Sequence, residues 1–552
     1  MNYSIRLQGA LGKALEKTLT NRLKTVDYKQ LVDPFRYRNE KAGWRCEFWG
    51  KIVRPAIWAN QFIQDKELTA ILEKTVDDIL STQTPDGRIA SYPEEVQFTC
   101  CDIWGRKYVL LGLIAYYELV KPDPRIPDAC AALLRDIEKT LAEKGLKWEE
   151  TGTHLGLATC SILGAIVGTW RITKDPHWKQ LAEEMMKRGC CTKHNIYREA
   201  LKGTSPAEIG DGKSYELTSC YQGALEYFLS TAEEKDKLPQ QEYVDACFKY
   251  FEMICEQELM ITGVSGLKDA PGEFWDGGRF RQTRSEIGGI GETCILSTLL
   301  LYLERLMAVS EEPNFKVAEV AENILYNGLL GAMTPDGTNF THKNPTPMTG
   351  GGWKSPAPDQ MLLCYHEPFG HHDCCRAKGP EGFALAQFLA LRPAKDDSGA
   401  VINFYEPLTA KLANAEIVIK GDYPYEKESI VEVTSKGGFT LKLRIPAFTE
   451  KVFVNGEEVE AVPGTFLELK RNWNHDSVKL VFDLSLKEET APGNRFFTAV
   501  RRGAVILAED SRGANVPGAK IHEKWNGHDL VEYSVAGNEF AETNTLTVWF
   551  RN

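Results

Sequence analysis

Gly379-Pro-Glu-Gly-Phe-Ala-Leu-Ala-Gln-Phe-Leu-Ala-Leu-Arg-Pro393-Ala-Lys-Asp-Asp-Ser-Gly399 is the stretch in which the chain changes its period. Up to Arg392 the apolar residues recur at the three-to-four spacing of a helix, and Pro393 ends that pattern. The polar run to Gly399 reads as a junction. Beyond it Phe439-Thr-Leu-Lys-Leu-Arg-Ile445 and Thr465-Phe-Leu-Glu-Leu-Lys470 alternate apolar with polar, as half-buried strands do. Val452-Phe-Val-Asn455-Gly456-Glu-Glu-Val459 reads as a hairpin, because Asn-Gly supplies the positive φ of a type I′ turn. Further strands are expected at 478–486 and 546–550, and about 155 residues of short strands and turns read as a β-sandwich.

Upstream the helical spacing holds almost throughout. Asp65 can cap a helix carrying Leu68, Ile71, Leu72, Val76 and Ile79, and a helix through Cys130, Leu133, Leu134, Ile137 and Leu141 stops at Gly145. Similar patterns cover 104–120, 158–172, 177–188, 218–231, 241–258, 292–308, 314–331 and 380–392, with more near 10–22 and 55–64. The total is about a dozen helices with mostly short connections. No fixed-period repeat is present, which favours a closed toroid over a solenoid. Helices such as Ile295 to Leu306, apolar on more than one face, suit the inner ring of a double-layered barrel. The expected division is a helical domain over 1–395 and a β-sandwich over 396–552.

Composition narrows the function. With 43% hydrophobic and 26% charged residues the chain can bury a large core, and its net charge of −12 excludes a general affinity for nucleic acid or anionic lipid. No apolar run of membrane-spanning length is expected. The first residues lack the order of a secretory signal, which fits either an intracellular protein or one whose signal has been removed. Fourteen cysteines are too dilute for a disulfide scaffold; Cys130, Cys160, Cys247 and Cys255 fall in helical patterns as small core residues.

Two segments hold the dense chemistry. The first runs Gly272-Glu273-Phe-Trp275-Asp276-Gly-Gly-Arg279-Phe-Arg281, then Gly288-Gly-Ile-Gly-Glu292-Thr-Cys294 into a helix. Glu292 and Cys294 can face one ligand only if Glu-Thr-Cys lies at an extended helix start, where a thiolate is also favoured. The second runs Cys364-Tyr-His-Glu-Pro-Phe-Gly-His-His372-Asp-Cys374-Cys375-Arg376-Ala-Lys378, again opening a helix. Three thiolates and one carboxylate would complete a tetrahedral zinc site. The alternative is that Cys374 and Cys375 are buried thiols and Glu292 a helix cap; Cys100-Cys101 and Cys190-Cys191 show that such pairs occur here without evident purpose.

Taken together, Gly-Glu-Phe, then Glu-Thr-Cys, then a Cys-Cys pair two residues after His372 resembles glycoside hydrolase family 127, the β-L-arabinofuranosidases. The segments Trp104-Gly-Arg-Lys-Tyr-Val-Leu-Leu-Gly-Leu and Lys213-Ser-Tyr-Glu-Leu-Thr-Ser-Cys220-Tyr-Gln-Gly-Ala-Leu-Glu226 agree, and the resemblance spans nearly the whole chain. It implies an (α/α)6 helical barrel followed by a C-terminal β-sandwich. It implies zinc on Glu292, Cys294, Cys374 and Cys375, with Cys374 as nucleophile, Glu273 as general acid/base and His372 beside the sugar. The activity implied is exo-acting, retaining release of a terminal β-L-arabinofuranose-like sugar from a plant-type oligosaccharide or glycoside. The spacing between Glu273 and Glu292 leaves Asp276 as an alternative acid.

Trp104, Trp275 and Trp353 are candidates to stack on a sugar, packing being the alternative for each. His154, His194 and His342 could line the site without any local feature marking them. Arg376, with Arg279, Arg281 and Arg284, suggests a cationic pocket for an acidic sugar such as aceric acid of pectin. Two other classes are open: a polysaccharide lyase, and a non-catalytic carbohydrate-binding protein with a structural zinc. Sugar identity, linkage and oligomeric state are not encoded in these patterns.

Overall fold

A computed structural model describes residues 3–266, 273–284, 289–348, 353–354 (backbone), 374–537 and 545–552. Six helices, Phe48–Ile63, Asp102–Leu119, Leu163–Thr173, Ser214–Ser230, Thr293–Val309 and Cys374–Ala390, touch one another in chain order, and the last returns to the first. The ring is closed. Outer helices Lys66–Leu80, Arg125–Lys144, Pro176–Arg188, Gln240–Met253 and Phe315–Asn323 each follow an inner one, and Ala10–Thr18 packs on the sixth.

The two layers explain the residue patterns. Outer helices are amphipathic, as in Lys66–Leu80, where Leu68, Leu72, Val76 and Ile79 are buried and Asp65 caps the start by accepting from the Leu68 amide. Inner helices are covered on both sides, so Thr293–Val309 buries every residue from Thr293 to Glu304. The stretch His154–Thr173 is long and apolar enough by composition to cross a membrane, but it is mostly buried among the other helices. Because an outer helix returns the chain each time, all six inner helices start at the same end of the ring. Their unpaired amides and aligned dipoles favour negative charge there.

The C-terminal part holds two main sheets. One, of nine strands among the described residues, is built around the long antiparallel pair Glu428–Ile445 and Thr465–Phe482, with Gly399–Ile402 added in parallel. The other, of eight strands among the described residues, takes seven of them from Leu486–Arg551. The Asn455-Gly456 hairpin forms as expected, with φ of 52° and 86°. Both sheets also recruit strands from before residue 395. Ser4–Leu7 pairs with Leu408–Lys411, and Trp353–Lys354 pairs with Thr545–Thr547. Four- and two-residue strands carry too little alternation to be read from sequence.

Candidate active site

Glu292 lies at the junction of strand and helix. Strand Gly289–Glu292 pairs with Lys343–Thr346, and Glu292 itself keeps extended backbone (φ −107°, ψ 138°) as it caps the helix Thr293–Val309. That geometry puts Glu292 and Cys294 on one side, as Glu-x-Cys requires. Cys374 and Cys375 open the adjacent inner helix, Cys374–Ala390. The two starts meet. The donor atoms of Glu292, Cys294, Cys374 and Cys375 all lie within 4.8 Å of one another.

The separations fit a shared ion. Cys375 Sγ lies 3.4 Å from Cys294 Sγ, 3.8 Å from Cys374 Sγ and 3.4 Å from Glu292 Oε1; Cys374 Sγ lies 3.7 Å from that oxygen. A tetrahedron with metal–sulfur bonds of about 2.3 Å has edges of about 3.8 Å, whereas a disulfide needs about 2.05 Å. All three cysteines are free thiols. Cys294 and Cys375 are fully buried, walled by Trp104, Tyr108 and Tyr215. Burial pushes the Glu292 carboxyl and the Cys294 thiol well above their usual values. Thiol contacts from Cys294 and Cys375, with His342 adding to them, hold Cys374 well below. A bound cation would displace the protons that burial favours.

Glu273 stands beside this centre. Its carbonyl accepts from the Ser214 amide (3.1 Å) and hydroxyl (2.5 Å), and its carboxylate Oε2 accepts from the Lys213 ammonium. Burial alone would lower the Lys213 pKa, but Glu216, Glu273 and Glu292 together raise it. Glu273 Oε1 faces His342 Nε2 at 3.8 Å, while His342 Nδ1 lies 3.9 Å from Cys374 Sγ and 3.8 Å from Cys375 Sγ. His342 thus spans the gap between the acid and the thiols.

The loop after Glu273 is firmly held. Trp275 donates its amide to the Gly212 carbonyl, and buried Glu258 accepts from the amides of Asp276, Gly277 and Gly278.

Some expected roles do not survive. Trp275 is 1% exposed with its indole donating to the Tyr250 hydroxyl, so it has no face for a sugar. Trp104 is likewise buried, its indole donating to Glu47. Asp276 is engaged by Arg281. The cationic pocket is not assembled: Arg279 lines a cleft toward Glu489 and Arg501, Arg284 is exposed, and Arg376 Nε donates to the Thr338 carbonyl at 3.4 Å. Of the other histidines, His154 pairs with Asp211, and His194 Nε2 accepts from the Gly210 amide. His372 and the Trp353 side chain lie outside the described residues. Lys213 and His342, the two groups flanking Glu273, carried no distinguishing signal in the sequence beyond the segment around Lys213.

The β-L-arabinofuranosidase GH127 catalytic-domain model matches residues 12–387, and the GH127 middle-domain model matches 399–484. The chain belongs to glycoside hydrolase family 127. It is a glycosidase by that membership. The middle-domain match ends where the first sheet gives way to the second. A β-L-arabinofuranosidase of the family from Geobacillus stearothermophilus T6 superposes with a TM-score of 0.74 at 17% identity, covering 99% of this chain and 100% of that one. A second β-arabinofuranosidase of the family gives 0.74 at 16% identity, covering 99% and 96%. These likenesses show a shared fold. No curated protein sequence matches the chain.

Proposed function

We propose that this family 127 member removes a terminal β-L-arabinofuranose-like sugar from a glycoside with retention, using Cys374 as nucleophile and Glu273 as acid and then base. The observation that carries the reading is the convergence of Glu292, Cys294, Cys374 and Cys375 beside Glu273. Two solved relatives of similar fold, a β-L-arabinofuranosidase and a β-arabinofuranosidase, support the choice of sugar. Three sulfurs and one carboxylate form a zinc-type donor set, and zinc bound there would keep the thiols deprotonated near neutral pH. The site's own residues do the rest.

Cys374 Sγ attacks the anomeric carbon; the carbon–sulfur bond forms as the glycosidic carbon–oxygen bond breaks, and Glu273 gives its proton to the leaving oxygen. In the second step Glu273 takes a proton from water, whose oxygen bonds the anomeric carbon while the carbon–sulfur bond breaks and Cys374 leaves as thiolate. Lys213 pins one Glu273 oxygen so that the other is turned toward His342. Cys294, Cys375 and Glu292 place their own donor atoms around that sulfur.

The test is incubation with aryl glycosides and a furanoside-based inactivator, followed by peptide mass spectrometry. Turnover of the β-L-arabinofuranoside with label on Cys374 is expected, and Cys374→Ala and Glu273→Gln should each lose about a thousandfold in rate or more. Label on another residue, an unsaturated product absorbing in the ultraviolet, or sugar binding without turnover would overturn the reading.

A further inference from the structure

We infer that His342 is a reserve ligand of the thiol-rich centre, taking the place of Cys374 when that sulfur is bonded to carbon. The inference rests on the reading above, in which Glu292, Cys294, Cys374 and Cys375 hold a metal. Once Cys374 Sγ has formed its bond to the anomeric carbon it is a neutral thioether, a far weaker donor than a thiolate to a zinc-type ion. Glu292, Cys294 and Cys375 would then remain as three ligands with one position open.

His342 Nδ1 is placed to fill that position. It lies 3.9 Å from Cys374 Sγ and 3.8 Å from Cys375 Sγ, at or just beyond the 3.4–3.8 Å by which the centre's own donors are separated. Its other nitrogen faces Glu273 Oε1 at 3.8 Å. That arrangement matches a recurrent pattern in which a metal-bound histidine directs its second ring N–H toward a carboxylate. The backbone supports it as well. His342 immediately precedes Lys343–Thr346, the strand paired with Gly289–Glu292, and its carbonyl accepts from the Thr293 amide. Asn344 ties the same corner by donating to the Thr293 hydroxyl, which in turn donates to the Thr341 carbonyl. The histidine is therefore carried by the ladder that presents Glu292 and, one residue past Thr293, Cys294. A loop histidine meeting the thiols by chance would have no such tie.

The alternative is a histidine that contacts the thiols without ever ligating. The two differ in how the loss of His342 combines with the loss of Cys374. The experiment is a double-mutant cycle on the full chain, read by chelator competition for Zn(II) and by absorption of the Co(II)-loaded protein. His342→Ala alone should change affinity by less than about threefold. In a Cys374→Ala background the same change should cost about tenfold or more and shift the visible Co(II) bands. Alkylating Cys374 in the folded protein gives a second route, with metal retained when His342 is present and lost in His342→Ala. An equal cost of His342→Ala in both backgrounds, with unchanged Co(II) bands, would overturn the inference while leaving the metal reading intact. A wild-type chain that binds neither ion would overturn both.

Discussion

Cys294 and Glu292 show how far one side chain's setting departs from its ordinary chemistry. Both are buried, and burial favours their neutral forms. A metal held there, as proposed, would drive those protons off, so its binding would release protons and its affinity should rise with pH. Chelator competition at pH 6, 7 and 8 should show a gain of about tenfold or more per pH unit; a flat profile would contradict the assignment of thiolate and carboxylate ligands. Lys213 gives a second prediction at this scale. Lys213→Met removes the ammonium that fixes Glu273 Oε2, and should lower kcat by about 10- to 100-fold with metal content unchanged. The four residues of the candidate metal cluster were legible because Glu-Thr-Cys and Cys-Cys are local patterns. Lys213 and His342 were not, since each becomes relevant only through neighbours more than 30 residues away.

Among the elements, the turn Asp276–Gly278 follows Glu273 closely and is anchored by a residue earlier in the chain. Its three successive amides converge on Glu258, at the end of the helical turn Ile254–Glu258. Burial pushes the Glu258 carboxyl up to about 7, against the pull of those amides. Glu258→Ala would strand three amide donors, one of them fully buried and two partly, and a loss of about 2–4 kcal/mol is expected from the denaturant midpoint at unchanged slope. Activity should fall further than stability explains if the turn positions Glu273; equal kcat in the folded variant would show that it does not. The helices themselves were readable, because Asp65 caps and apolar spacing are properties of short segments. The expected sugar-stacking role of Trp275 failed for the converse reason. An aromatic beside an acidic residue reads alike whether its ring faces a pocket or, as here, the Tyr250 hydroxyl in the core.

For the whole molecule, the helical ring and the first sheet are joined by Glu406. Its buried carboxylate accepts from the amides of Leu11 and Gly12 and from the Tyr326 hydroxyl, linking the first helix, the strand region and the ring. Burial raises its pKa to about 7. The folded state therefore holds this proton more tightly than the unfolded chain does. The resulting stability is complete below the ordinary carboxylate value and is lost as pH rises toward 7 and above. Stability should decline between about pH 4.5 and 7.5 by on the order of 1–3 kcal/mol from this group, with Glu258 adding in the same window. Thermal melts of Glu406→Gln should show a shallower decline; a parallel curve would mean that Glu406 is ionised throughout.

By itself the sequence determined the order of architecture, a helical part followed by a strand-rich one, because helical and strand periods are set by which face each residue must bury. It also marked Glu292, Cys294, Cys374 and Cys375, since each pair falls within three residues at a helix start. Only the tertiary structure decided that the two starts belong to neighbouring inner helices of one closed ring. It likewise recruited Ser4–Leu7 into the C-terminal sheet and set His342 between Glu273 and the thiols. Those relations depend on closure of the barrel and on strand pairing across hundreds of residues, and no local pattern encodes a contact whose partner is chosen by the packing of the rest.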